Sequence, residues 1–314
     1  MSKSIHILVT EPEYFTPESL RSMEKVGKVI AKRMTRNELL RAIENVDVLV
    51  VRIETNVDRE LLRHAKRLRC VVSTTTGLNH INVRALELSK ILLFSLRGTH
   101  SVSTAEHALA LLFSAARNIP TAHTHIKDGG WTRWKYIGTE LTGKTLGIFG
   151  IGRVGTEIAK RARGLHMNVI AYDPYVKKNE IARRGATKVA RIAFIKKSDF
   201  ISLHAPLTKE TKGFFGQKEI HMMKQSAILI NTARGAIVEE RALLEALKNQ
   251  RIRAAAIDVY QEEPLPSSSP LLRYARKHQN LILTPHIGAS TEEALRNASA
   301  FAAKNIRRFF GLHK

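Results

Sequence analysis

Cysteine is nearly absent: Cys70 is the only one in 314 residues. No intramolecular disulfide can form, and its place inside the apolar run 68–72 reads as a small buried hydrophobe rather than a reactive thiol. No stretch approaches the roughly 20 uninterrupted apolar residues of a membrane-crossing helix. The opening MSKSIHILVT lacks the apolar core and small-residue cleavage site of a signal peptide, so the expected location is the cytoplasm. Acidic residues are scarce, 28 Asp and Glu against 51 Lys and Arg, for a formal charge of +23. Such an excess invites a nucleic-acid or anionic-surface reading, but the cations are nowhere gathered. The longest basic runs are pairs such as Lys177-Lys178 and Lys196-Lys197, and no basic tail follows. The charge therefore reads as a solvated surface that attracts an anionic substrate and cofactor, with neither nucleic acid nor membrane expected as partner. No metal-ligand spacing is evident.

What is present is enough apolar material, 44% of residues, for more than one core, and the length favours two domains. Apolar runs alternate with amphipathic stretches from the start, the pattern of βα units in a mostly parallel sheet. In the first third the runs at 5–10, 46–51, 69–74 and 91–96 predict strands, with helices at 17–26, 35–45 and 58–67 between them. Thr35 and Glu38 form a capping-box signature. A long helix is predicted over 103–118, with Ser103 and Glu106 as a second capping signature and Pro120 as its stop. A polar arm containing Trp131 and Trp134 follows. The second series predicts strands at 145–150, 167–173, 199–204, 227–233, 253–260 and 281–287, and a last helix at 291–311.

Between the first strand of that second series and a helical pattern lies Gly150-x-Gly152-x-x-Gly155. The motif alone is weak; flanked by strand and helix it marks a dinucleotide loop. The first glycine makes the tight turn, the second lets the backbone approach a pyrophosphate, and the third lets helix pack on strand. The helix N-terminus adds free N–H groups and a positive dipole end. Asp173, ending the next strand, would accept hydrogen bonds from a ribose 2′-hydroxyl and repel a 2′-phosphate, which favours NAD over NADP; Lys177 and Lys178 nearby leave the strictness of that preference open.

Three stretches place chemistry at the ends of later strands, where open α/β sheets put their ligands. NTARGAIV offers Arg234 as an anion clamp. IDVYQEEP offers Asp258 and the pair Glu262 and Glu263. LTPHIGAS offers His286 between a proline and a glycine. Hydride transfer at a 2-hydroxy or 2-oxo acid needs a proton-exchanging group, a cation for the carboxylate and a carboxylate that tunes the acid–base group, and the three stretches together supply that set.

These stretches, with STAEHALALLFSAARNIP, ELTGKTLGIFGIGRVG and LHAPLT, resemble the D-isomer-specific 2-hydroxyacid dehydrogenase family, near its phosphoglycerate dehydrogenase-like branch. The resemblance implies two Rossmann-like doubly wound α/β domains separated by a cleft. A flavodoxin-like substrate-binding domain would span 1–98 plus 287–314. A dinucleotide-binding domain would be inserted at 99–286, with hinge crossings near 97–101 and 287–290. It implies Arg234, Glu263 and His286 as catalytic residues, with Glu262 the alternative partner of the histidine. Cofactor contacts would come from Gly150, Gly152, Arg153, Val154, Gly155, Asp173, His204, Pro206, Thr211, Thr232, Ala233, Asp258 and Gly288. Substrate would meet Arg52, Thr76, Gly77, Leu78, Asn79 and Arg234. NAD is the implied cofactor, a small anionic 2-hydroxy or 2-oxo acid the substrate, and a homodimer through the long helix and the arm after it the assembly.

Four residues depart from the family's commoner pattern, all on the substrate side: His100 where asparagine is frequent, Ile53 where serine is, and His80 and Asn82 in the loop after residue 76. They leave open which acid is turned over, 3-phosphoglycerate and glyoxylate or hydroxypyruvate being the foremost. Two other readings share the fold: a cofactor-sensing interaction protein of the co-repressor type, and a formate- or phosphite-type dehydrogenase. The complete Arg/Glu/His set and the lack of an appended recognition motif favour the enzyme.

Overall fold

A strand covered by helices on both faces has no solvent side on which to alternate polar residues, so it reads as a continuous apolar run. The runs predicted above become such strands, in two parallel sheets. The computed structural model describes residues 4–96, 98 and 100–311. They divide into two compact units, one running to His100 and resuming at Ser290, the other spanning Ser101–Ala289. Of the expected hinge at 97–101, Arg97 and Thr99 lie outside the described residues.

The first unit contains β1 (His6–Val9), α1 (Pro17–Glu24), β2 (Lys28–Ala31), α2 (Arg36–Ala42), β3 (Val48–Val51), α3 (Arg59–His64), β4 (Cys70–Ser73), α4 (Val83–Leu88) and β5 (Leu92–Ser95). Its all-parallel sheet has the order β2-β1-β3-β4-β5, which is the flavodoxin-like order. One face of the sheet, through Leu8, Leu49, Val51 and Val71, packs on Leu39, Leu61 and Leu86 of the helices. Cys70 is fully buried on the other face, and burial pushes its thiol up to about 12. The Thr35 capping box forms as expected: its hydroxyl accepts from the Glu38 backbone while the Glu38 carboxylate accepts from the Thr35 backbone at 2.8 Å.

The second unit contains α5 (Ser101–Arg117), α6 (Ile119–Lys127), β6 (Thr145–Phe149), α7 (Arg153–Gly164), β7 (Asn168–Tyr172), α8 (Lys178–Arg183), β8 (Thr187–Lys188), α9 (Arg191–Lys197), β9 (Phe200–Leu203), α10 (Gln217–Met222), β10 (Ile228–Asn231), α11 (Glu240–Lys248), β11 (Ala254–Ile257), α12 (Pro270–Ala275) and β12 (Leu281–Leu283). The seven strands are ordered β12-β11-β10-β9-β6-β7-β8, all parallel. Strand order reverses at β6, with β7 to one side and β9 to the other, so the glycine loop sits at the topological switch point of a Rossmann sheet. The chain then returns to the first unit in α13 (Glu292–Phe309), whose Ala302, Ala303 and Ile306 pack on Ile7, Val9, Val48 and Cys70.

Two local expectations are corrected. Pro120 does not close the structure after α5: Asn118 takes a left-handed φ of 55°, and α6 restarts immediately with Pro120 in its first turn, where a missing N–H costs nothing. Ser103 is not a cap, because α5 already begins at Ser101, and Glu106 instead pairs with Arg161 at 3.0 Å. Among the described residues no helix is long and apolar enough to cross a membrane.

Candidate active site

The glycine loop carries its reasons in its packing. Gly150 has φ +86°, and a Cβ there would stand 2.7 Å from the Ala205 backbone. A Cβ on Gly155 would stand 2.4 Å from the Gly150 carbonyl oxygen, so only glycine lets α7 approach β6 this closely. A Cβ on Gly152 would meet no atom of the described residues within 4 Å, so the space beside it is open. Asp173 stands at the rim, accepting from Ile151 N at 3.1 Å and Tyr175 N at 3.0 Å, while Arg184 donates to the Ile151 carbonyl. Arg153 is exposed and Val154 half-buried in the first turn of α7, whose opening N–H groups have no intrahelical acceptor.

Other expected cofactor residues line the neighbouring strand ends. Thr232, just past β10, has a buried hydroxyl with no partner among the described residues, an orphaned polar atom of the kind a ligand satisfies. His204, past β9, shares a 2.7 Å hydrogen bond with the Ser202 hydroxyl, and burial lowers its pKa, keeping the imidazole neutral. Thr211 donates to the Pro206 carbonyl at 2.6 Å, closing the loop after β9. The Ala233 N–H is taken by Asn231 Oδ1 at 3.0 Å. A cleared backbone loop, a carboxylate at the end of the next strand and an unsatisfied hydroxyl fit an elongated diphosphate-bearing nucleotide.

The acid–base set assembles at the ends of the adjacent strands β10, β11 and β12. His286 Nδ1 lies 2.6 Å from Glu263 Oε2. Glu263 Oε1 accepts from Tyr260 N at 2.9 Å, which holds the carboxylate still. Burial acts to raise the Glu263 pKa, but the hydrogen bond and charge of His286, the Tyr260 N–H and the Arg234 charge outweigh it and leave the pKa below the ordinary carboxylate value. Arg234 is held by Asn231 Nδ2, which donates to its carbonyl at 3.0 Å. Gly235 follows because a Cβ there would stand 2.0 Å from the Tyr260 carbonyl carbon, so the β10 loop presses directly on the β11 loop. Burial lowers the Arg234 pKa while Glu263 opposes the shift. Arg234, Glu263 and His286 are thus brought into one electrostatic neighbourhood; Glu262 is exposed and makes no hydrogen bond among those described for the site.

Asp258 lies beneath this set rather than in its open part. It is 1% exposed and accepts from Thr284 Oγ1 at 2.6 Å, Ile287 N at 2.9 Å and Gly288 N at 2.9 Å, with His107 Nε2 at 3.2 Å. Burial would raise its pKa; these donors, His107 foremost, hold it below the usual value. Both Asp258 and Gly288, expected to touch the cofactor, therefore have protein partners that fix the loop carrying His286. Sequence reasoning missed His107: on a helix of mostly apolar residues it looks like one polar position, and only the fold reveals its partner.

In the first unit, Arg52 follows β3, is 5% exposed, and lays its guanidinium 4.2 Å over the Tyr14 ring, with no hydrogen-bond partner for Nη1 among the described residues. Burial lowers its pKa, opposed by Tyr14 and the surrounding carboxylates. Thr76, Gly77, Leu78 and Asn79 form the turn after β4, closed by Thr75 Oγ1 donating to the Gly77 carbonyl at 3.0 Å and Ile81 N donating to the Leu78 carbonyl at 2.9 Å. His100 donates from Nε2 to the Thr74 carbonyl at 3.2 Å.

Fold and site together define a two-unit α/β protein with a dinucleotide loop at its switch point and a carboxylate-paired histidine nearby. The chain belongs to the D-isomer specific 2-hydroxyacid dehydrogenase family: residues 109–288 match the model of that family's NAD binding domain, and NAD is the cofactor this domain takes. It is 42% identical over 306 residues to the D-3-phosphoglycerate dehydrogenase of Methanocaldococcus jannaschii, covering 97% of this chain but 57% of that protein. It thus spans little more than half the length of that relative. It is 39% identical over 285 residues to the glyoxylate reductase of Thermococcus litoralis, covering 88% of this chain and 85% of that protein. The TT0316 protein of Thermus thermophilus has the same fold, with a TM-score of 0.87 at 31% identity over 96% of each chain.

Proposed function

We propose that this chain is an NAD-dependent D-2-hydroxyacid dehydrogenase acting on a small anionic 2-hydroxy or 2-oxo acid, with 3-phosphoglycerate and glyoxylate or hydroxypyruvate the foremost substrates. The 2.6 Å pairing of His286 with Glu263 carries the reading, because a histidine with a carboxylate on one ring nitrogen keeps the other for a substrate oxygen. Bound NADH would supply the hydride for C2, and NAD would accept it in the reverse direction. In reduction, the His286 imidazolium gives its proton to the C2 oxygen and becomes neutral. In oxidation, neutral His286 removes the hydroxyl proton. Glu263 stabilises the imidazolium in both directions, and Arg234 holds the carboxylate and polarises the carbonyl.

The substrate-binding roles of Arg52 and residues 76–79 belong to the same proposal, supported by a buried cation whose Nη1 has no acceptor among the described residues. So do a cytoplasmic location and a homodimer. Ile119, Ile126, Trp131, Trp134 and Ile137, along and after α6, expose large apolar surface of the kind that partner contacts cover. The test is a panel of 2-oxo and 2-hydroxy acids, assayed in both directions with NAD and NADP. Turnover that disappears in His286→Ala supports the reading; no turnover of any member by the wild-type chain defeats it.

A further inference from the structure

His107 sits in the second turn of α5 with its side chain 17% exposed. Its Nε2 is 3.2 Å from Asp258 Oδ1 and 3.3 Å from Thr284 Oγ1. The Thr284 hydroxyl already donates to Asp258 Oδ1 at 2.6 Å, so its proton is committed. An ionised carboxylate only accepts, and Nε2 must therefore carry the hydrogen. One buried carboxylate consequently gathers four donors from three directions: the helix through His107, the end of β12 through Thr284, and the backbone of Ile287 and Gly288.

Those last three residues flank His286 in the chain. His286 itself has φ 53°, in the left-handed region that a residue with a side chain adopts only when its surroundings impose it, and its N–H donates to the Thr284 carbonyl at 3.0 Å. The Tyr260 hydroxyl donates to the same carbonyl at 2.7 Å. The backbone that aims the imidazole at Glu263 is therefore clamped on both sides by Asp258. Gly288 completes the fit, since a Cβ there would stand 3.1 Å from Asp258 Oδ2 and 3.8 Å from His107 Cδ2.

We infer that His107 is a positioning residue: by donating to Asp258 it holds the 284–288 loop in the one conformation in which His286 meets Glu263. The inference rests on the proposed acid–base role of His286. The charged and titratable groups that bear on this arrangement are Asp258, Tyr260 and Glu263 from β11 and the loop after it, and Arg234 from the β10 loop; on α5 itself, Glu106 is engaged by Arg161.

Protein labelled with 15N in its histidine rings, free of cofactor, tests it. The His286 Nδ1–H proton, assigned by its loss in His286→Gln and moved downfield by its hydrogen bond to Glu263, is recorded at one fixed pH in wild type, His107→Phe and His107→Gln. Phenylalanine keeps a ring but no N–H, whereas glutamine keeps an N–H donor. In H107F the downfield resonance is lost as the loop drifts from Glu263, and H107Q restores it. A downfield resonance unchanged in a folded H107F overturns the inference. Should H107F fail to fold, H107N, whose shorter amide falls short of Asp258, replaces it under the same criterion. Reduction kinetics give the second reading: kcat falls about tenfold in H107F with the KM for NADH unchanged. A wild-type chain that reduces no 2-oxo acid defeats the dehydrogenase proposal, while the spectra still decide the role of His107.

Discussion

Glu263 divides its carboxylate between two partners: Oε1 takes the Tyr260 N–H at 2.9 Å, and Oε2 faces His286 Nδ1 at 2.6 Å. The first bond fixes where the second points. An opposite charge at hydrogen-bond distance favours the charged form of its neighbour. Glu263→Gln keeps the shape and loses the charge. In the proposed mechanism reduction consumes the imidazolium, so kcat for reduction near neutral pH is expected to fall about tenfold or more, and kcat for oxidation, which starts from the neutral ring, to fall less. Turnover measured in each direction checks both statements, and equal wild-type and E263Q rates contradict them.

Arg234 is the next test of the set. Its planar fork can grip a carboxylate through two parallel bonds, which a lysine cannot reproduce. In Arg234→Lys the KM for the 2-oxo acid is expected to rise about tenfold to a hundredfold, whereas the dissociation constant for NADH, measured by fluorescence titration, stays within about threefold. A variant that loses NADH affinity instead would move Arg234 from the substrate to the cofactor.

Gly152 and Gly155 separate binding from folding. Gly155→Ala forces a methyl to within 2.4 Å of the Gly150 carbonyl oxygen, an overpacking expected to cost about 1–3 kcal/mol in denaturant unfolding. Gly152→Ala meets nothing within 4 Å and has φ −70°, so its cost is at most about 1 kcal/mol, that of a poorer helix N-cap. If the pyrophosphate lies against this loop, the added methyl intrudes on it, and NAD affinity should fall by about tenfold or more. Equal affinity of G152A and wild type for NAD would place the dinucleotide elsewhere.

The sequence was legible wherever one physical demand dominated. Buried parallel strands announce themselves as apolar runs, and the glycine loop, Arg234, Glu263 and His286 all lie at the ends of such runs. What it hid was of two kinds. Weak elements gave no pattern: β2 has three of four residues exposed, β8 is two residues long at the sheet edge, and α4 is six residues. Relationships between distant positions were hidden too. Nothing near His107 foretells Asp258, and the appearance of Asp258 as a strand-end ligand gave no warning that Thr284, Ile287 and Gly288 would consume it. Pro120 misled because proline both ends helices and starts them, and only the left-handed turn at Asn118 decides which.

The same buried carboxylate gives a prediction for stability. The Asp258 pKa is lowered in the folded protein from a reference of 3.8. Above that reference both states are ionised and its bonds stabilise the fold fully; as pH falls through the reference toward the depressed folded value, the unfolded chain takes up a proton first and the stabilisation is lost. Glu263, likewise lowered from 4.5, acts in the same sense at slightly higher pH. The second unit should therefore melt at progressively lower temperature between about pH 5 and pH 3. Asp258→Asn is expected to start less stable at pH 7, by about 2 kcal/mol for a buried amide set among donors that wanted a carboxylate, and to lose less on acidification. Its melting curves, recorded by calorimetry at half-unit steps from pH 7 to pH 3, should converge on those of wild type at the acid end. Parallel curves that never approach one another would mean that the Asp258 pKa is the same in the folded and unfolded chain, and that its donors do not favour the ionised carboxylate.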